Sequence, residues 1–264
     1  MKKPAPLARR RIGGGPPLAL VHGSGTDSAR WAPVLPALTG RFTVHAVDRR
    51  GHGKSADRPG YRIEDEFDDL VELLDEIGGD DTTVVAHSYG ALCALGAACR
   101  GARIARLVLY EPPLAASADA YCPPGLIETM RAAIDGGDPD RAATAFATAV
   151  LGIAEPEVER RRRLGLWDAM ASGAPLIVRE LASVARYAMQ APRFAACLQP
   201  TLLLVGADSP AEYHATAKAL ATVLPDSHMR LLERQRHDAI DRAPGLFVAT
   251  VLDFVAATPA PRSL

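Results

Sequence analysis

Short apolar, β-prone runs recur along the chain at Leu18 to Val21, Thr43 to Val47, Thr83 to Ala86, Arg106 to Tyr110, Thr201 to Val205 and Met229 to Leu232. Most are apolar almost throughout, where a strand with one wet face would alternate. That pattern predicts strands of a parallel sheet covered by helices on both faces. Between them, residues 63 to 77 place Phe67, Leu70, Val71 and Leu74 at helical spacing among acidic residues, which lays one apolar stripe on a sheet. Gly78 and Gly79 then end that helix. A helix-like stretch from Pro244 to Val255 follows the last strand.

The interval from Pro112 to Pro200 breaks this alternation, being rich in Ala, Arg and helix formers with almost no strand-like run. It is expected to be a helical lid over residues 112–199, inserted into a core built from 1–111 and 200–264. Its Leu, Met, Ile and Phe residues suggest a largely apolar pocket that sets substrate choice. The Gly13-Gly14-Gly15-Pro16-Pro17 segment precedes a strand, whereas phosphate-binding loops follow one, so it is expected to be a turn. The segment from Thr258 to Leu264 has the composition of a tail.

At 264 residues, 48% hydrophobic and 23% charged, the chain is suited to one large globular domain. Its 30 basic and 31 acidic residues give a net charge of −1, which offers nucleic acid no electrostatic attraction and favours a small-molecule partner. The arginines from 160 to 163 follow Glu155, Glu157 and Glu159 and are read as a solvated helix face. No window is apolar enough to span a membrane. The start lacks the apolar stretch of a secretory signal, so the cytoplasm is the expected location. Cys93, Cys99, Cys122 and Cys197 lack metal-site spacing and are expected to be reduced thiols. With neither an H-E-x-x-H string nor a carboxylate-histidine cluster, no metal and no cofactor is expected.

The strongest local signal is Val84-Val85-Ala86-His87-Ser88-Tyr89-Gly90-Ala91, an apolar strand, a sharp turn and a helix-prone run. A serine in such a turn projects its hydroxyl into a cleft at the strand end. The residues two before and two after it must be small because strand and helix nearly touch, and Ala86 and Gly90 are. A second signal, His22-Gly23-Ser24-Gly25, follows the Leu18 to Val21 strand, with Trp31 a few residues on. The backbone N–H groups of Ser24 and Tyr89 are candidate oxyanion donors, and Gly23, His87 and Trp31 are candidate substrate-binding residues. A third segment, Asp48-Arg49-Arg50-Gly51-His52-Gly53-Lys54-Ser55, makes a compact loop of expected structural role.

The order H-G-x, D-x-R-G-H-G-x-S and serine elbow, each after a successive strand, resembles the α/β-hydrolase family. Residues Leu107 to Pro113 and Thr201 to Asp208 look like its later strands, so the likeness extends over nearly the whole chain. It implies an α/β fold with Ser88 as nucleophile and His237, after the Met229 to Leu232 strand, as general base. It makes Asp208 the preferred acid, with Glu111, which ends the preceding strand, as the alternative.

The reaction expected is acyl transfer to water from a small, largely apolar carboxylic ester, lactone or thioester. The same fold hosts lyases, acyltransferases and perhydrolases, and a ligand sensor on this scaffold is a further alternative. Relatives that open epoxides or haloalkanes resemble this chain but carry aspartate where Ser88 stands. Oligomeric state is not readable from the sequence.

Overall fold

The structure, a computed structural model, describes residues 6–114, 121–165, 167–187 and 191–258. Residues 1–5, the first of those in which a signal was sought, and the tail beyond Thr258 lie outside them. Seven strands form one sheet: β1 (Arg9–Ile12), β2 (Pro17–Val21), β3 (Thr43–Val47), β4 (Thr83–His87), β5 (Arg106–Tyr110), β6 (Thr201–Gly206) and β7 (Ser227–Leu232). Their order is β1-β3-β2-β4-β5-β6-β7. Only β1 runs antiparallel, pairing with β3; the other pairs are parallel.

The helices are α1 (Leu35–Thr39), α2 (Ile63–Ile77), α3 (Tyr89–Cys99), α4 (Leu126–Asp135), α5 (Pro139–Ala149), α6 (Glu155–Arg163), α7 (Asp168–Ser172), α8 (Ala174–Arg186), α9 (Ala191–Phe194), α10 (Ala211–Val223), α11 (Ala239–Arg242) and α12 (Pro244–Ala257).

The central strands β3, β4, β5 and β6 are buried at every position, as their unbroken apolar runs require. On one sheet face Leu18, Leu20, Val44, Val85, Val108 and Leu204 pack with residues of α1 and α12, including Leu38, Phe247 and Val251. On the other lies α3, buried all along its length except at Cys99. Helix α2 covers α3 with Phe67, Leu70, Leu73 and Leu74. The two helices pack so closely that a Cβ at Gly96 would stand 2.4 Å from the Phe67 ring.

Two acids of α2, Glu66 and Asp69, are also buried. Glu66 meets Arg49 at 2.8 Å and Asp69 meets Arg50 at 2.7 Å. The third sequence motif is thus a structural loop held from several sides: Asp48 also accepts backbone N–H bonds from Ser28 and Lys54.

The chain divides into two compact units, one of Met1–Gly23, Asp27–Pro113 and Gln190–Leu264, the other of Ser24–Thr26 and Leu114–Met189. The second is helical and has its own core, in which Met130, Ala142, Phe146, Val158, Trp167 and Ile177 are buried together. Trp167 donates its indole N–H to Asp140 at 2.6 Å, and the Arg162 guanidinium lies over its ring.

Candidate active site

Strand β4 ends at His87 and α3 begins at Tyr89, so a single residue, Ser88, makes the whole turn. It does so at φ 54° and ψ −127°, a conformation that a residue with a side chain adopts at a cost. The turn is held by the Ser88 N–H donating to the Tyr110 carbonyl at 2.9 Å, and by Ala91 and Leu92 donating to the Ser88 carbonyl. Small neighbours permit it. A Cβ on Gly90 would sit 2.2 Å from the His22 carbonyl oxygen, and one on Gly23 would sit 2.8 Å from the Ser88 Cβ. The strand-end loop at Gly23 therefore lies directly against the serine, which is partly exposed.

His237 follows β7, and its Nδ1 is 2.5 Å from Glu111 Oε2. Glu111 is fully buried, and its second oxygen accepts the Gly206 N–H at 2.7 Å. A carboxylate held by two donors is fixed in orientation and so fixes the imidazole; with Nδ1 as the donor, Nε2 is the ring nitrogen left for another partner. Glu111 takes φ 49°, which turns the chain at the end of β5. The imidazole is clamped on its faces too. The Tyr213 ring stacks on it with centroids 5.0 Å apart, and the His87 ring lies 4.4 Å away.

His87 is itself buried, and its Nε2–H donates to the His237 carbonyl at 3.0 Å. Burial, with the nearby His237, holds its pKa well below the usual histidine range, so it stays neutral. Tyr110 donates to the Arg236 carbonyl and accepts from the Ala239 N–H, tying down the turn on both sides of His237.

These placements correct three sequence expectations. The acid on His237 is Glu111, not Asp208: the Asp208 side chain is exposed while its N–H bonds the Gln235 carbonyl. Glu111 gains its place because its N–H pairs with the Leu204 carbonyl, extending the β5–β6 ladder by one residue toward His237. Trp31, expected at the substrate, is a core residue with no exposure and with Phe247 6.4 Å away. His87 faces His237 and Tyr110 inside the protein, as a support for the site. Ser24 is partly exposed and follows Gly23 directly. Tyr213, Tyr110 and Gly206 also contact this cluster, though the sequence pattern marks Tyr110 and Gly206 only as strand residues and Tyr213 not at all. Among the described residues no group of histidines, cysteines and acids could hold a metal ion.

The model of the alpha/beta hydrolase family matches residues 18–250. The chain belongs to that family. An alpha/beta hydrolase from Sphaerobacter thermophilus DSM 20745 is similar in structure, with a TM-score of 0.82 at 34% identity over 94% of this chain and 95% of that one. A hydrolase from Pseudomonas aeruginosa PA01 gives 0.75 at 29% identity over 94% of each. The 2-(acetamidomethylene)succinate hydrolase of Mesorhizobium japonicum is 37% identical over 102 residues, 38% of this chain and 36% of that protein. The chain thus spans little more than a third of that curated relative's length. Among its described residues, no helix is long and apolar enough to cross a membrane.

Proposed function

We propose that the protein is a serine hydrolase that cleaves a small, largely apolar carboxylic ester, lactone or thioester through an acyl-enzyme. One observation carries the reading: a buried carboxylate, bound by the Gly206 N–H through one oxygen, holds the Nδ1 of His237 through the other, and the His237 ring packs 4.4 Å from His87, the residue before the strained turn at Ser88. In this reading His237 Nε2 takes the Ser88 hydroxyl proton as Oγ attacks the carbonyl carbon. The tetrahedral intermediate collapses, the C–O or C–S bond breaks, and the imidazolium returns the proton to the leaving group. A water molecule then repeats the sequence in reverse and frees the acid. Glu111 stabilises the imidazolium and holds its tautomer. The N–H groups of Tyr89 and Ser24 receive the negative charge that builds on the carbonyl oxygen. No cofactor enters the chemistry.

Serine as the attacking residue argues against epoxide opening, the activity named for a Mycobacterium tuberculosis relative that is 37% identical over 81 residues. An alcohol oxygen adding to an epoxide would leave an ether, which no second attack by water releases. A carboxylate would leave a cleavable ester.

Rapid mixing with p-nitrophenyl acetate tests the reading. A burst of about one p-nitrophenolate per protein before the steady state, absent in Ser88→Ala, is expected where the acyl-enzyme accumulates. Turnover that survives intact in Ser88→Ala would refute the proposal.

A further inference from the structure

The loop that carries Gly23 is gripped from behind by Arg49. This guanidinium is 1% exposed. Its Nε donates to the His22 carbonyl at 2.8 Å and its Nη2 to the Gly23 carbonyl at 3.0 Å. The His22 ring completes the grip, with Nδ1 2.7 Å from the Gly23 carbonyl and Nε2 accepting the Arg49 N–H at 3.0 Å. Because a trans peptide is planar, fixing the Gly23 carbonyl fixes the direction of the next N–H, which points away from Arg49.

The same guanidinium reaches the other side of the serine turn. It lies 5.0 Å over the ring of Tyr89, the residue after Ser88. Tyr61 links the hydroxyl of Tyr89 to Glu66, with both contacts at 2.7 Å. Glu66, 2% exposed, neutralises Arg49 with both oxygens at 2.8 Å.

A buried ion pair is a poor source of stability, since apolar side chains of the same volume often serve as well. What only a guanidinium supplies is a planar set of directed donors of permanent charge. Here two of them bind consecutive carbonyls of the loop that touches Ser88. We propose that Arg49 is a positioning residue for acyl transfer, aligning the Gly23–Ser24 peptide and Tyr89 on either side of Ser88, with Glu66 and Tyr61 holding it in place. The inference rests on the serine-hydrolase reading above.

The test compares wild type with Arg49→Lys, with the neutral double variant Arg49→Met/Glu66→Gln, and with Tyr61→Phe. Hydrolysis of p-nitrophenyl acetate, inhibition by phenylboronic acid and thermal melting are measured for each. A tetrahedral boronate places an oxygen where the oxyanion forms, so it reports alignment directly. For the double variant kcat is expected to fall by about 100-fold with KM within about threefold, and for Arg49→Lys by about 10-fold. Boronate affinity is expected to weaken by the same factors while the melting temperature does not track them. Folded Arg49 variants with wild-type kcat and boronate affinity would overturn the inference and leave the hydrolase reading standing. Should neither fold, Tyr61→Phe decides: a fall of about threefold or more in kcat and boronate affinity supports the inference, and unchanged values overturn it. A wild type that neither turns over ester nor binds boronate would overturn both.

Discussion

Glu111 and Asp208 are carboxylates that follow adjacent strands, and their surroundings give them opposite uses. Glu111 is fully buried between two N–H donors, one from Gly206 and one from His237. A charge in that position is tolerated only because both oxygens are bonded, and it holds its partner in one orientation. Asp208 is exposed, where water competes for every contact. His87 illustrates the reverse, a group kept uncharged beside the His237 imidazole. Its neutral state has a consequence for acid stability. An unfolded histidine titrates near 6.5, so below that pH the unfolded chain takes up a proton that the buried ring refuses, and stability falls as pH falls. In His87→Gln, whose amide keeps a donor for the His237 carbonyl, urea midpoints at about pH 7.5 and pH 5.5 are expected to differ less than in wild type. An equal difference in the two proteins would contradict a neutral His87. Ser88 and His237 could be named as candidates from the sequence because each follows a recognisable strand. Glu111 could not be ranked above Asp208, because burial and the hydrogen bond to the Leu204 carbonyl, not chain position, separate them.

At the scale of elements, the apolar runs located β2 to β7 and the periodic stripe located α2, whose bounds of Ile63–Ile77 match the expected 63 to 77. Strand β1 was missed because Arg9-Arg10-Arg11 carries no apolar run. It is an edge strand, where partly exposed charges blunt further pairing. Periodicity also hid the two buried acids of α2, since a helical wheel counts Glu66 and Asp69 as wet. Only their pairing with Arg49 and Arg50 explains their burial. The closeness of α2 to α3 is testable. Gly96→Ala would drive a methyl group against the Phe67 ring and is expected to destabilise the protein by about 1–3 kcal/mol. Phe67→Leu should lose packing in the wild type but recover part of the loss in Gly96→Ala, a coupling of about 0.5 kcal/mol or more. Additive effects on denaturant midpoints would show that the helices can part without loss.

Across the whole molecule, the parallel order β4-β5-β6-β7 brings the carboxyl ends of four successive strands to one edge. Ser88, Glu111, Gly206 and His237 stand at or just beyond those ends, so residues 149 positions apart in the chain come to the same end of the sheet. Ligand sites of open α/β sheets form at that edge for the same reason. The sequence showed this architecture through strand rhythm and motif order, while the side-chain partners needed the register of the sheet. The most direct test of the account is the rate at which a small fluorophosphonate forms an adduct, followed by intact mass and peptide mapping in wild type, Ser88→Ala, Glu111→Gln and Asp208→Asn. One adduct on Ser88 is expected in wild type and, at a similar rate, in Asp208→Asn. It should be absent in Ser88→Ala and slower by about 100-fold or more in Glu111→Gln. Labelling that persists in Ser88→Ala, or that slows in Asp208→Asn but not in Glu111→Gln, would contradict it.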